Sequence, residues 1–164
     1  PVPQGEHLLL YYSGSNLGQC EAFAAQTERI YGGGVAIMKR DRFAAQRAEG
    51  DKPGYLITRE FILEGKTLTV NAVSDTRVDR KTGLRVEVFR HPPIGEHADY
   101  YHAEGGGYSY AYDGYKMDDS VTAVGDNTAF RITWKGKDLT PLVGKPVYLR
   151  FELNNMDLYG FRVE

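Results

Sequence analysis

Pro146-Val147-Tyr148-Leu149-Arg150-Phe151-Glu152-Leu153 alternates apolar and polar side chains with a period of two. Successive side chains of an extended chain point to opposite faces, so Val147, Leu149, Phe151 and Leu153 share one face and Tyr148, Arg150 and Glu152 the other. Leu84-Arg85-Val86-Glu87-Val88-Phe89 has the same form, with Leu84, Val86 and Val88 inward and Arg85, Glu87 and Phe89 outward. Each is a strand with one dry and one wet face.

Further outward in both directions, similar short runs separated by Gly, Asp, Asn and Pro predict strands at 7–13, 34–40, 55–63, 67–73, 108–112, 120–124, 129–134 and 157–163. With 84–90 and 146–153 they make an all-β fold, a two-sheet antiparallel β-sandwich of jelly-roll type. Phe151, Leu149, Val86, Val88, Ile132, Trp134 and Phe161 are expected between the sheets. Glu64-Gly65-Lys66 reads as a tight hairpin. The Ala-rich stretch 21–31 is either a helix stopped by Gly32-Gly33-Gly34 or a loop crossing the end of the sandwich.

The 164 residues, 41% of them hydrophobic, fit a single sandwich domain over 1–164, with 1–5 as a linker. That opening stretch reads as a boundary within a larger protein. A net charge of −2 and a pI near 6.1 give no attraction to phosphate backbones or anionic lipid, so neither nucleic acid nor membrane is an expected partner. Cys20 is the single cysteine and has an acidic neighbour in Gly18-Gln19-Cys20-Glu21, which suits neither a disulfide nor a catalytic thiol.

Motifs for catalysis are weak. Gly65-Lys66-Thr67 lacks the earlier glycine of a phosphate-binding loop, the triple glycines lack a strand-to-helix setting, and no Gly-x-Ser-x-Gly elbow occurs. His91, His97 and His102 lie near Glu96, Asp99 and Glu104, but at no metal-ligand spacing of known type. No cofactor is expected, although a structural calcium braced by loop oxygens is compatible with the fold.

Tyrosine is the unusual feature, with 12 in the chain and Tyr100, Tyr101, Tyr108, Tyr110, Tyr112 and Tyr115 in one short span. Aromatic faces stack on sugar C–H groups while imidazole and carboxylate groups fix hydroxyls. Tyr100, Tyr101 and Tyr115, with His97, His102 and Asp113, therefore form the first candidate carbohydrate site. Tyr108, Tyr110 and Tyr112 share one strand face and read rather as core. A second candidate is the sheet face carrying Phe89, Tyr148, Arg85, Arg131 and Arg150, where guanidinium forks could take carboxylated or sulfated sugars or simply pair with Glu87 and Glu152.

Trp134-Lys135-Gly136-Lys137-Asp138-Leu139, Leu142-Val143-Gly144-Lys145-Pro146 with the strand that follows, and Asp157-Leu158-Tyr159-Gly160-Phe161 together resemble the C-terminal β-sandwich domain that follows the β-propeller in bacterial sucrase/levanase-like glycoside hydrolases. Tyr12-Ser13-Gly14-Ser15-Asn16, Lys39-Arg40-Asp41-Arg42-Phe43, Leu56-Ile57-Thr58-Arg59 and Leu84-Arg85-Val86-Glu87-Val88 extend the likeness over most of the chain. The final strand is also similar to those closing jelly-roll carbohydrate-binding modules. The catalytic acids of that family lie in the propeller, so the resemblance implies no catalytic residue here. It implies a secreted or periplasmic ancillary domain, non-catalytic, that binds a polysaccharide or oligosaccharide for an attached catalytic domain. The alternative is a purely structural sandwich packing on the propeller, and behind both stands a small metal-dependent enzyme.

Overall fold

The computed structural model describes residues 1–18, 28–75, 77, 80–90 and 110–164. The fold is all-β and its sheets are antiparallel, as the alternation requires. Among the described residues the only helical turns are short 3-10 segments at Met117–Asp119 and Thr140–Leu142. No helix among them is long and apolar enough to cross a membrane. Most of the stretch 21–31, and Cys20, lie outside the described residues. The chain divides into two compact units, Pro1–Arg42 and Phe43–Glu164.

The first unit is a three-stranded meander of β1 (Val2–Gln4), β2 (His7–Ser15) and β3 (Tyr31–Lys39). Strand β1 lies within the stretch read as a linker and pairs with β2 from Gln4↔His7 to Val2↔Leu9. The triple glycine does not end a helix. It lies inside β3, where Gly34 faces Tyr12 and Gly32 faces Gly14. A Cβ on Gly34 would fall 2.5 Å from Tyr12 Cζ, so the exposed tyrosine ring lies across the strand only while a glycine is beneath it and would swing aside for a larger residue. No described residue of this unit is buried, and Tyr11, Tyr31 and Ile37 are 69%, 71% and 63% exposed.

The second unit holds the core. One sheet is ordered β4 (Gln46–Ala48), β11 (Met156–Val163), β7 (Leu68–Ser74), β9 (Asp126–Ile132). In the other, β10 (Pro146–Asn154) is central, with β8 (Gly83–Phe89) on one side and β5 (Gly54–Ile57) and β6 (Phe61–Ile62) in succession on the other. Inward residues of both sheets join in one apolar cluster, in which Val86, Val88, Leu149 and Phe151 meet Leu68, Ile132 and Trp134. Each such side chain contributes about 1.5–3 kcal/mol by leaving water. The buried Trp134 indole is satisfied, since its Nε1 donates to the Val86 carbonyl at 2.7 Å.

Phe161 is only partly in this core. A bulge shifts the β11–β7 register between Leu158 and Gly160, which leaves Phe161 opposite Val70, with its ring centroid 5.2 Å from that of Phe151 but 41% of it exposed. The expected hairpin at Glu64-Gly65-Lys66 is not one either. Strands β6 and β7 belong to different sheets, and residues 63–67 carry the chain between them. Lys66 N and Thr67 N donate to the Glu164 carbonyl, and a Cβ on Gly65 would lie 2.5 Å from the Glu164 backbone, so the glycine here allows a close approach and does not form a turn.

Strands β10 and β11 also lie in different sheets, although one residue separates them. Asn155 makes this corner with φ 43°, a left-handed conformation that asparagine tolerates better than most residues. Its buried side chain accepts from Gly50 N at 3.0 Å and donates to the carbonyls of Gly50 and Lys81 at 3.2 and 2.9 Å. Three loops are thereby pinned to one turn, because Asp75 N also donates to the Asn155 carbonyl.

Candidate functional site

Of the first candidate set only Tyr115 and Asp113 lie among the described residues, and Tyr115 is not placed as a loop contact. Tyr115 is a core residue, 3% exposed, with its ring 5.2 Å from Trp134 and tilted 55° to it. Its hydroxyl donates to the Asp138 carbonyl at 2.7 Å, and its own carbonyl accepts from Val88 N. The physical cause is the turn that precedes it. Gly114 has φ 79° and Tyr115 N donates to the Tyr112 carbonyl, which returns the chain to the edge of β8. Burial, and then the charge of Asp138, push the Tyr115 phenol pKa up. Asp113 sits exposed at the tip of the same turn. Tyr112 packs against the core and donates to the Pro146 carbonyl at 3.0 Å. Tyr100, Tyr101, His97 and His102 lie outside the described residues. The residues flanking that stretch meet at β8, since Arg90 N donates to the Tyr110 carbonyl and Phe89 bridges to Ala111.

The second candidate set is better gathered. Pairing of β10 with β8 puts Tyr148 opposite Phe89, Arg150 opposite Glu87 and Glu152 opposite Arg85, all on the outer face. The Phe89 and Tyr148 rings stack with centroids 5.1 Å apart and planes 17° from parallel. Arg150 Nη2 lies 3.1 Å from Glu87 Oε1, and Arg85 donates through Nε and Nη2 to Glu152 Oε1 at 3.1 and 2.8 Å. The arginines on this face therefore pair with Glu87 and Glu152, the second of the two arrangements the sequence allowed. Arg131 does not join them. It lies on β9 in the other sheet, exposed and opposite Thr69.

The sequence had not singled out Tyr55. Strand β5 places it opposite Glu152, with its hydroxyl donating to Glu152 Oε2 at 3.2 Å and the Arg150 guanidinium 5.7 Å from its ring centroid. Even so, 55% of Tyr55 is exposed. Burial of its hydroxyl, and next the Glu152 charge, raise its pKa. Burial opposes the Arg85 charge, but hydrogen bonds and charges from Glu152 and the exposed Asp118 outweigh it and raise the Arg85 pKa. The second oxygen of Glu87 accepts from Met117 N, which fixes the 3-10 turn to the sheet. The result is a rigid row of matched charges, with stacked aromatics at one end and an open phenol ring at the other.

Among the described residues no group of three or more His, Cys, Asp or Glu side chains is placed to hold a metal ion. Compared with protein families, curated proteins and solved structures, the chain matches none.

Proposed function

We propose that the chain is a non-catalytic carbohydrate-binding module of jelly-roll type, secreted or periplasmic, which holds a polysaccharide for an attached glycoside hydrolase on the outer face of the β5–β10–β8 sheet. The observation that carries this reading is the open Tyr55 ring set beside fixed hydrogen-bonding groups of Glu152, Arg150 and Asn154. An exposed aromatic on a rigid strand provides a stacking plane at low entropic cost, and the polar row beside it supplies orientation. The likeness to ancillary domains of sucrase/levanase-like enzymes supports the same reading, and no cofactor is needed for it. Affinity electrophoresis through a panel of soluble polysaccharides tests it. Retardation by at least one polymer, lost in Tyr55→Ala with an unchanged melting temperature, is the expected result.

A second reading, a structural domain packing on a catalytic propeller, is favoured by a different observation. The Pro1–Arg42 meander leaves Val2, Tyr11, Val35, Ile37 and Tyr31 exposed along one register face, more apolar surface than three strands in water ordinarily leave uncovered. Failure to bind any glycan, together with self-association of the parent chain that Tyr11→Ser/Ile37→Ser removes, would favour this reading.

A further inference from the structure

We infer that the outer face of the β5–β10–β8 sheet selects uncharged sugars and turns away uronic and sulfated ones. The inference rests on the carbohydrate-binding reading and adds the ligand class. Both guanidinia on this face are already ion-paired: Arg150 through Nη2 with Glu87, its Nε being buried without a partner, and Arg85 with Glu152 and, through Nη1, with Asp118 at 3.1 Å.

The Glu87 and Glu152 side chains are only 6% and 9% exposed. A carboxylate or sulfate that captured either arginine would leave one of these acids buried without its counter-charge, and would approach the other acid as a like charge. A neutral hydroxyl imposes neither cost. It can donate to a carboxylate oxygen or accept from a guanidinium N–H while the cross-strand pairs stay closed. Tyr55 sits at the Glu152 end of the ladder, so a sugar ring stacked on it reaches these groups with its hydroxyl edge. The pairing that makes the face look closed is thus what sets its selectivity.

Dextran and dextran sulfate share a backbone and make the matched test, with galactan and polygalacturonate as a second pair, titrated calorimetrically into the full chain at 0.05 and 0.5 M NaCl. We expect binding to a neutral polymer that changes less than about twofold with salt, because no ion pair forms across the interface. Tyr55→Ala should weaken that binding about 5- to 150-fold. Asp118 is 92% exposed, so Asp118→Asn should spare the fold while leaving Arg85 with surplus charge, and dextran sulfate binding at low salt should rise. A parent chain that prefers the charged member of each pair, with binding lost at 0.5 M NaCl, overturns the selectivity but leaves the carbohydrate-binding reading standing. Unchanged neutral binding in Tyr55→Ala overturns the location, and no gain in Asp118→Asn overturns the charge argument. A parent that binds neither these four polymers nor any member of the wider polysaccharide panel overturns both the inference and the reading beneath it.

Discussion

Truncating Tyr115 separates a ligand-contacting tyrosine from a structural one. As a loop residue it would cost affinity when removed and leave stability alone. With 3% exposure, a ring packed on Trp134 and a hydroxyl bonded to the Asp138 carbonyl, it should do the reverse. Tyr115→Phe keeps the ring and leaves that carbonyl without its partner, a loss of about 1–1.5 kcal/mol. Tyr115→Ala also opens a cavity beside Trp134 and should cost about 3–5 kcal/mol, a large part of the stability of a domain this size. At about 4 °C per kcal/mol the melting temperature should fall by about 4–6 °C in the first variant and about 12–20 °C in the second. The phenol adds a pH signature. Its pKa is raised in the folded chain above the ordinary 10.0, so its contribution is intact below that pH and is lost as pH rises through the raised value. Tyr115→Phe should therefore soften the alkaline loss of stability. Thermal unfolding followed by near-ultraviolet circular dichroism from pH 7 to 11 reads both effects. A Tyr115→Ala chain that melts within about 2 °C of the parent would show that the side chain is not in the core.

Phe151 is wholly buried between the sheets, and Phe151→Ala should cost about 3–5 kcal/mol in guanidinium unfolding; an unchanged midpoint would mean the inward phase of β10 is wrong. Asn155→Ala should lose about 2–4 kcal/mol, from broken bonds to Gly50 and Lys81 and from a φ that alanine resists, whereas Asn155→Gly keeps the turn and should lose about 1 kcal/mol less. The carboxyl of Asp75 is lowered to about 2, chiefly by its side-chain bonds to Arg77, and those of Asp119 and Asp138 are lowered by Lys135 and by the Thr140 amide. These groups bind fewer protons folded than unfolded, so the melting temperature should hold above about pH 5 and fall from about pH 4 to 2. Asp75→Asn should reduce that fall, and an equal fall would remove Asp75 from the account.

Alternation alone was enough to identify the central strands. The inward residues of β8 and β10 follow the period of two, because the dry face enforces it, whereas on the other face Glu87, Phe89 and Glu152 are buried too, by their cross-strand pairs and the turn at Met117. Strands β1 and β4 escaped notice because each is three residues long, too short for a period to show. Phe161 departs from the expected burial for a related reason. The bulge beside Tyr159 is a matter of pairing with β7 and does not show in β11's own sequence. Tyr115 reads as exposed because Asp113-Gly114 is a turn signal, while Gly114 here sends the next residue back to β8.

The candidate site was half legible for a deeper reason. The pattern within one strand tells which residues face outward together, and so Arg85 with Phe89, and Tyr148 with Arg150, were found from the chain alone. What those residues do is decided by cross-strand register, in which Arg85 meets Glu152 and Arg150 meets Glu87. Displacing the register by two would present like charges to one another, Arg150 to Arg85 in one direction, a face open to anions, and Glu152 to Glu87 in the other. The observed register closes the ladder and leaves Tyr55 standing at its end, a residue that nothing within β5 distinguishes from an ordinary strand tyrosine. Any ligand chemistry of this face is therefore a property of pairing among three strands far apart in sequence, which is why Tyr55 emerges only once they are assembled.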